Sequence, residues 1–329
     1  MTDSAVVTEL GFPGLVATDS VVVTELGFPG FGATFIALLL ALTFVGCRCQ
    51  SDEERLPPEG LVDAGVPALP AAAVVPPHLA PARCPPDMVD VAGEFCVDRF
   101  EGQLVDQNTA WVLSPFYHPL GERARLSREY WAAREAPAGA LSLGRLPLLP
   151  ELPRWQLAAD LRPRAENRVG VLPQGYMSGV VARLVCENAG KRLCREHEWV
   201  RACRGERGQA FPYGAVYEQG ACNVARASHP AAMLHGDASK GHRDPRLNLL
   251  ADADGPLLRP TGSSPRCRSE WGNDAIYDMV GNVDEWVDDE RGVFVGGFYS
   301  RQTRAGCAAR VSAHPNAYFD YSLGVRCCR

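Results

Sequence analysis

Ten of the chain's twelve cysteines lie between Cys84 and Cys328, and this constrains the fold more than any other feature of the sequence. Cytosolic thiols are kept reduced, whereas secreted domains use paired cysteines as cross-links. The cysteine usage therefore points to an oxidising compartment and a disulfide framework, whose connectivity the spacing alone leaves open. Residues 88–100 alternate apolar and polar about Gly93 and read as a hairpin; Cys84 and Cys96 bracket its first arm and could pair. Residues 103–170 read as irregular and proline-rich, with Trp111, Trp131, Trp155 and one helix expected over 127–135. A domain with that much loop needs staples.

The 329 residues divide into three parts. Within residues 1–47, the segment 2–14 recurs almost unchanged at 18–30, too few copies to stack as a solenoid. An uncharged apolar run over 31–46 suits the core of an export signal. It ends in Phe44-Val45-Gly46-Cys47, which resembles a bacterial lipobox, although Asp3, Glu9, Asp19 and Glu25 stand where a basic leader is expected. The reading is an exported protein of the bacterial cell envelope, a lipoprotein with its lipid on Cys47 or a periplasmic protein held by a single-span anchor. Cys49 reads as a bystander. Residues 48–83 are rich in Pro and Ala and read as a semi-extended tether. The folded domain is expected over 84–329. With 46% hydrophobic and 22% charged residues the composition is globular. A net charge of −6 and the absence of any basic tract exclude a nucleic-acid partner.

Chemistry-bearing residues concentrate near the C-terminus. The stretch 271–299 packs turn glycines, an acidic run and aromatic residues together. Gly281-Asn282 is a strong turn dipeptide, Glu285-Trp286 sets a carboxylate beside a large ring, and 293–295 reads as a short buried strand. So many acids imply a metal or a polar network. Upstream, Gly190 breaks two helical patterns. Val180, Val181, Leu184 and Val185 form the expected stripe of the first, and Trp199, Ala202 and Cys203 share one face of the second. Glu196-His197-Glu198 lacks the second histidine of a zinc-protease motif. His229, His235 and His242 read as surface or hydrogen-bonded residues. Asp252-Ala253-Asp254-Gly255 reads as a solvated turn, because the later ligands of a calcium loop are missing.

Four separated pieces then fall in order: AGKRLCREHEWVRACRG at 189–205, FPYG followed by Cys222-Asn223, YDMVGNVDEW at 277–286, and GGFY, GCAAR and GVRC between 296 and 327. They resemble the formylglycine-generating enzyme, or sulfatase-modifying factor, family, whose patterns are close to AGKRLPTEAEWE, PWG, LYDMVGNVWEW, RGGSW and GFRC. The resemblance implies a loop-rich, disulfide-stapled α+β fold, a variant of the C-type lectin fold, with structural calcium. Carried over by motif, Asp278, the Gly281 and Val283 carbonyls and Glu285 match one calcium site, and Asn223 with the Val224 carbonyl matches part of a second. The family's disulfides imply Cys186–Cys327 and Cys203–Cys307; Cys194–Cys328 and Cys222–Cys267 are guesses for four of the remaining cysteines.

The family's chemistry does not carry over with the fold. Family oxidases convert a sulfatase cysteine to formylglycine with a cysteine pair that follows the GGS strand and binds copper(I) through thiolates. Here 298–306 reads FYSRQTRAG, and Ser300 or Arg301 stands nearest the first active cysteine. Neither can act as a thiolate, so copper is not expected unless Cys267 or Cys328 substitutes. The expectation is a tethered, non-oxidising member that binds a protein, peptide or glycan ligand. The alternatives are a copper-dependent oxidase acting on sulfatases, or an enzyme of other chemistry on the same fold. Tyr299, Arg301, Arg304, Arg310, His314 and Tyr318, around the missing centre, are the candidate binding residues, since Arg and Tyr supply planar hydrogen-bonding and stacking groups.

Overall fold

The computed structural model describes residues 84–134, 136–143 and 146–329. The duplicated segment, the apolar run, Cys47 and the tether lie outside the described residues. Strands β1 (Met88–Val91) and β2 (Phe95–Asp98) form the expected hairpin. Gly93 turns it at φ 73°, and its N–H donates to Asp90 Oδ1 at 2.7 Å. The region read as irregular contains a ribbon: β3 (Gly102–Asp106) pairs antiparallel with β4 (Pro163–Asn167). Between them, α1 (Gly121–Ala132) starts six residues before the expected helix. Arg125 pairs with Glu122 and Glu129 at helical spacing along its exposed face, while Ala124 is its buried residue. Charge pairing of this kind leaves no apolar period to read.

Helix α2 (Gly179–Asn188) is capped by Ser178, whose Oγ accepts the Val181 N–H at 3.4 Å. It buries Val181, Ala182, Val185 and Cys186. Val180 and Leu184 lie on the outer side, so the expected stripe is rotated. After β5 (Arg192–Leu193), α3 (Glu196–Arg204) buries the expected face of Trp199, Ala202 and Cys203. Glu198 accepts the Arg195 N–H at 2.9 Å and both terminal nitrogens of Arg192 at 2.6 and 2.8 Å. The carboxylate of the Glu-His-Glu triplet thus caps a helix. Beyond α4 (Pro230–His235) come the ribbons β6 (Ala251–Asp252) with β7 (Gly255–Pro256) and β8 (Arg268–Trp271) with β9 (Asp274–Tyr277). The last strands are β10 (Asp284–Trp286), β11 (Phe294–Val295), β12 (Arg310–Val311), β13 (Leu323–Gly324) and β14 (Cys327–Cys328).

Two four-stranded sheets organise this α+β domain, in the orders β1-β2-β14-β5 and β12-β11-β10-β13. The final strand ties them to the helices. Neighbouring residues of a strand face opposite sides, so Cys327 reaches Cys186 on α2 while Cys328 reaches Cys194 just before α3. Each bridge is buried in a different apolar cluster, the first with Trp286 and the second with Trp199. Cys203–Cys307, Cys222–Cys267 and Cys84–Cys96 complete five bridges. All ten cysteines of the described residues are therefore cross-linked. Among the described residues no helix is long and apolar enough to cross a membrane.

Candidate functional site

The acidic stretch is a buried turn. Asp278, Gly281 and Asn282 take φ of 57°, 86° and 60°, the left-handed region that Gly and Asn tolerate best. A Cβ on Gly281 would meet the Asn223 carbonyl oxygen at 2.2 Å, so only glycine lets the two segments touch. Asn282 is the hub. Its N–H donates to the Asn223 carbonyl at 2.8 Å, and its Oδ1 accepts from Asn223 Nδ2 and the Arg259 N–H, both at 3.0 Å. Its Nδ2 donates to Glu101 Oε2 at 2.7 Å and the Arg259 carbonyl at 3.0 Å. Glu101, which sequence reasoning passed over, also accepts the Val283 N–H at 3.2 Å.

Glu285 is fully engaged. Arg326 donates to its two oxygens through Nε at 3.0 and 2.9 Å and through Nη2 at 2.8 Å, and Trp199 Nε1 donates to Oε2 at 2.5 Å. Asp278 Oδ2 accepts the Gly262 N–H at 2.6 Å. Glu101, Asp278 and Glu285 are all buried, and Arg326 is the basic group that acts on all three. Burial pushes Asp278 up to about 6, and burial together with the neighbouring Asp278 and Glu285 charges pushes Glu101 well above the usual carboxylate range. Three carboxylates near one guanidinium leave an excess of negative charge, but among the described residues no three acidic, His or Cys side chains converge as a metal site. A divalent cation in this turn would have to be held by Asp278, the Gly281 and Val283 carbonyls and Glu285, whose two oxygens already accept from three N–H groups.

The second expected set does not fit. Asn223 Nδ2 donates to the Leu257 carbonyl at 2.8 Å, and Asn223 Oδ1 faces Arg226 Nη1 at 3.4 Å. A guanidinium stands against the oxygen that would ligate the metal. Asp252, read as part of a solvated turn, is turned inward onto the same arginine.

Residues 163–329 match the family model described as the sulfatase-modifying factor enzyme 1-like domain. The chain belongs to this family. Two relatives are described as inactive C-alpha-formylglycine-generating enzyme 2. The Bos taurus protein is 28% identical over 169 residues, covering 47% of this chain and 49% of that one. The Mus musculus protein is 26% identical over 170 residues, covering 47% and 48%. The chain thus spans about half the length of the curated relatives it matches. Among solved structures, PvdO from Pseudomonas aeruginosa is similar over 71% of this chain and 80% of that one, at 17% identity and a TM-score of 0.34.

In this sulfatase-modifying-factor domain the segment that would carry the oxidase cysteines is tied down by other groups. The Gly297 N–H donates to Asp284 Oδ1 at 2.9 Å, and Arg301 Nη2 donates to Asp284 Oδ2 at 2.6 Å. Burial pushes Asp284 up to about 7 against the opposing pull of Arg301. Ser300 Oγ donates to the Ser228 carbonyl at 2.6 Å. Tyr299, expected at the surface, is fully buried, with its hydroxyl on Asn248 Oδ1 at 2.8 Å. Its ring lies in the apolar cluster of Phe298 and Tyr321, so it is a packing residue.

Three of the remaining candidates come together. The Arg301 guanidinium lies 5.8 Å from the Phe294 ring centre, His314 stacks on that ring at 5.9 Å, and Tyr318 stacks on His314 at 4.0 Å. Tyr318 donates its hydroxyl to Asp320 at 2.6 Å. Arg304 is turned instead over the Tyr217 ring at 5.3 Å, at a cavity of about 560 Å³ lined also by Gln219, Ala225 and Gln302. Arg310 pairs with Glu196 at 2.7 Å. Cys267 and Cys328 are both in disulfides, so neither is available as a substitute thiol.

Proposed function

We propose that this is a non-oxidising sulfatase-modifying-factor protein whose loop-rich face binds a peptide, protein or glycan partner. One observation carries the reading: residues 298–306 contain no cysteine, and every cysteine of the described residues is in a disulfide. The thiolate pair that the oxidase reaction requires has no source there. Two relatives described as inactive formylglycine-generating enzymes support the same reading. On this proposal the domain is a variant of the C-type lectin fold, exported to the bacterial envelope and held there by the N-terminal segment with Cys47. Calcium at Asp278, Gly281, Val283 and Glu285 would tie the turn beneath the binding face. Arg301, His314 and Tyr318 form that face.

The test is incubation of the purified protein with copper(I), oxygen and a peptide carrying the sulfatase cysteine motif, read by mass spectrometry. No conversion to formylglycine and no stoichiometric copper(I) binding are expected. Turnover dependent on copper would overturn the reading. For the binding face, a ligand found by screening peptide and glycan arrays is expected to lose at least tenfold in affinity to the Arg301→Ala, Tyr318→Phe double variant. Unchanged affinity would place the face elsewhere.

A further inference from the structure

Arg226 is buried, with a side chain only 7% exposed, yet its guanidinium meets oxygens from two separate segments, the β6–β7 ribbon and Asn223. Nε donates to Asp252 Oδ2 at 3.2 Å, and Nη2 pairs with Asp252 Oδ1. Nη2 also donates to the Gly255 carbonyl at 3.0 Å. Nη1 faces the Pro256 carbonyl at 3.3 Å and Asn223 Oδ1 at 3.4 Å. One carboxylate, one amide oxygen and two backbone carbonyls on loop segments form the kind of all-oxygen donor set that calcium takes. Here the cation at its centre belongs to the chain.

Charge and chemistry both favour the guanidinium. It does not lose its proton in proteins, and its planar fork delivers several donors at fixed angles. The cluster offers a single carboxylate, which one guanidinium neutralises. A divalent ion added beside Arg226 would leave an excess of positive charge in a buried site, where Coulomb energies are large. Arg259 adds a further positive charge near enough for the two arginines to repel.

The position also matters to the candidate face. The Arg226 N–H donates to the Tyr299 carbonyl at 2.9 Å, and its own carbonyl accepts from Gln302 Nε2 at 2.7 Å. The residue that closes the β6–β7 ribbon therefore also holds the segment in which the oxidase cysteines are missing.

We propose that Arg226 is an internal cation that fills the oxygen cluster of Asn223, Asp252, Gly255 and Pro256, so that these loops close without calcium. The test compares the oxidised wild-type protein with Arg226→Ala and Asp252→Asn, measuring calcium bound per chain by equilibrium dialysis and the thermal midpoint in EDTA and in millimolar calcium. Asp252→Asn is expected to bind the same number of calcium ions as wild type. It should lower the midpoint by about 5 °C or more, equally in both buffers. Arg226→Ala is expected to lower the midpoint in EDTA by a similar amount. One calcium fewer in Asp252→Asn, a loss confined to the calcium buffer, or an unchanged midpoint for Arg226→Ala in EDTA would each overturn the proposal. If Arg226→Ala does not fold, the calcium count of Asp252→Asn still decides.

Discussion

Replacing Arg326 by Met should be among the most damaging single changes in the domain. The side chain is completely buried, and each of its three nitrogens is hydrogen-bonded. Nε and Nη2 hold both oxygens of Glu285, Nη1 donates to the Asp98 carbonyl at 2.8 Å, and Nη2 donates to the Tyr277 carbonyl at 2.8 Å. Methionine can fill much of the volume and none of the charge. Glu285 keeps only the Trp199 indole donor, and Glu101 and Asp278 lose the cation that offsets them. Breaking a buried pair from one side costs about 3–5 kcal/mol, because the other charge stays behind. Two freed backbone carbonyls add about 1–3 kcal/mol each where water does not reach them. The assay is urea unfolding of the oxidised protein in EDTA, followed by the fluorescence of buried Trp199 and Trp286. The expected loss is at least about 3 kcal/mol at unchanged m-value. Adding Glu285→Gln to Arg326→Met should recover part of it, since one stranded charge is gone. If Arg326→Met does not fold, Glu285→Gln alone should still cost about 1 kcal/mol or more. A loss below about 1 kcal/mol for Arg326→Met, or no recovery in the double variant, would refute the charge argument.

Acid stability should carry the signature of His118. The imidazole is buried, its Nδ1 accepts the Leu120 N–H at 3.1 Å, and its ring meets Phe319 edge-on at 4.7 Å. Burial, with Arg123 and Arg243 nearby, pushes it down to about 3 from 6.5. Between those pH values the unfolded chain binds the proton and the folded chain does not. This contribution is therefore complete above about pH 6.5 and is lost progressively toward pH 3. His118→Gln should flatten the unfolding free energy between pH 6.5 and 4, and an unchanged slope would count against it. The disulfides should rank by the loop each closes: paired Cys→Ala replacements are expected to cost about 5 kcal/mol for Cys186–Cys327, about 4 for Cys222–Cys267 and about 3 for Cys84–Cys96. Denaturant midpoints in the reverse order would show that native packing around the bridges outweighs loop closure.

What could be read in the sequence was local or carried by the family pattern. Gly281-Asn282 signals a left-handed turn in two letters, and the structure puts both residues there. The buried face of α3 and the hairpin at Gly93 follow from period alone. The longest-range features leave no such mark. Glu101 reaches Asn282 across 181 positions, and nothing in its own neighbourhood shows that it is buried. The β3–β4 ribbon closes over a proline-rich loop, so neither strand has a turn signal to announce its partner. Tyr299 lies just past Gly296-Gly297-Phe298 and precedes a polar run, which looks like surface, but it is buried with its hydroxyl on Asn248. Arg226 was hidden for a different reason. An arginine is an exposed residue by default, and only the meeting of Asn223 with the β6–β7 ribbon around it shows an interior cation.

These features bear on why the domain can keep its family's architecture without the family's thiols. The oxidase pair would lie between Gly297 and Gly306, and in this chain the polar groups of that stretch are used to hold its shape. Asp284 takes both the Gly297 N–H and Arg301, Ser300 is bonded to Ser228, and Gln302 to Arg226. Returning cysteines to positions 300 and 301 would remove two of those ties, and without Arg301 burial would push Asp284 still further up, leaving no positive charge beside the new thiols to favour a thiolate. A Ser300→Cys, Arg301→Cys double variant is therefore expected to gain no formylglycine-generating activity on a sulfatase-motif peptide with copper(I), and to melt lower than wild type. Measurable turnover in that variant would mean that only these two side chains separate the segment from a working oxidase. Inactivity together with a lowered melting point would mean that the whole segment has been rebuilt around Asp284.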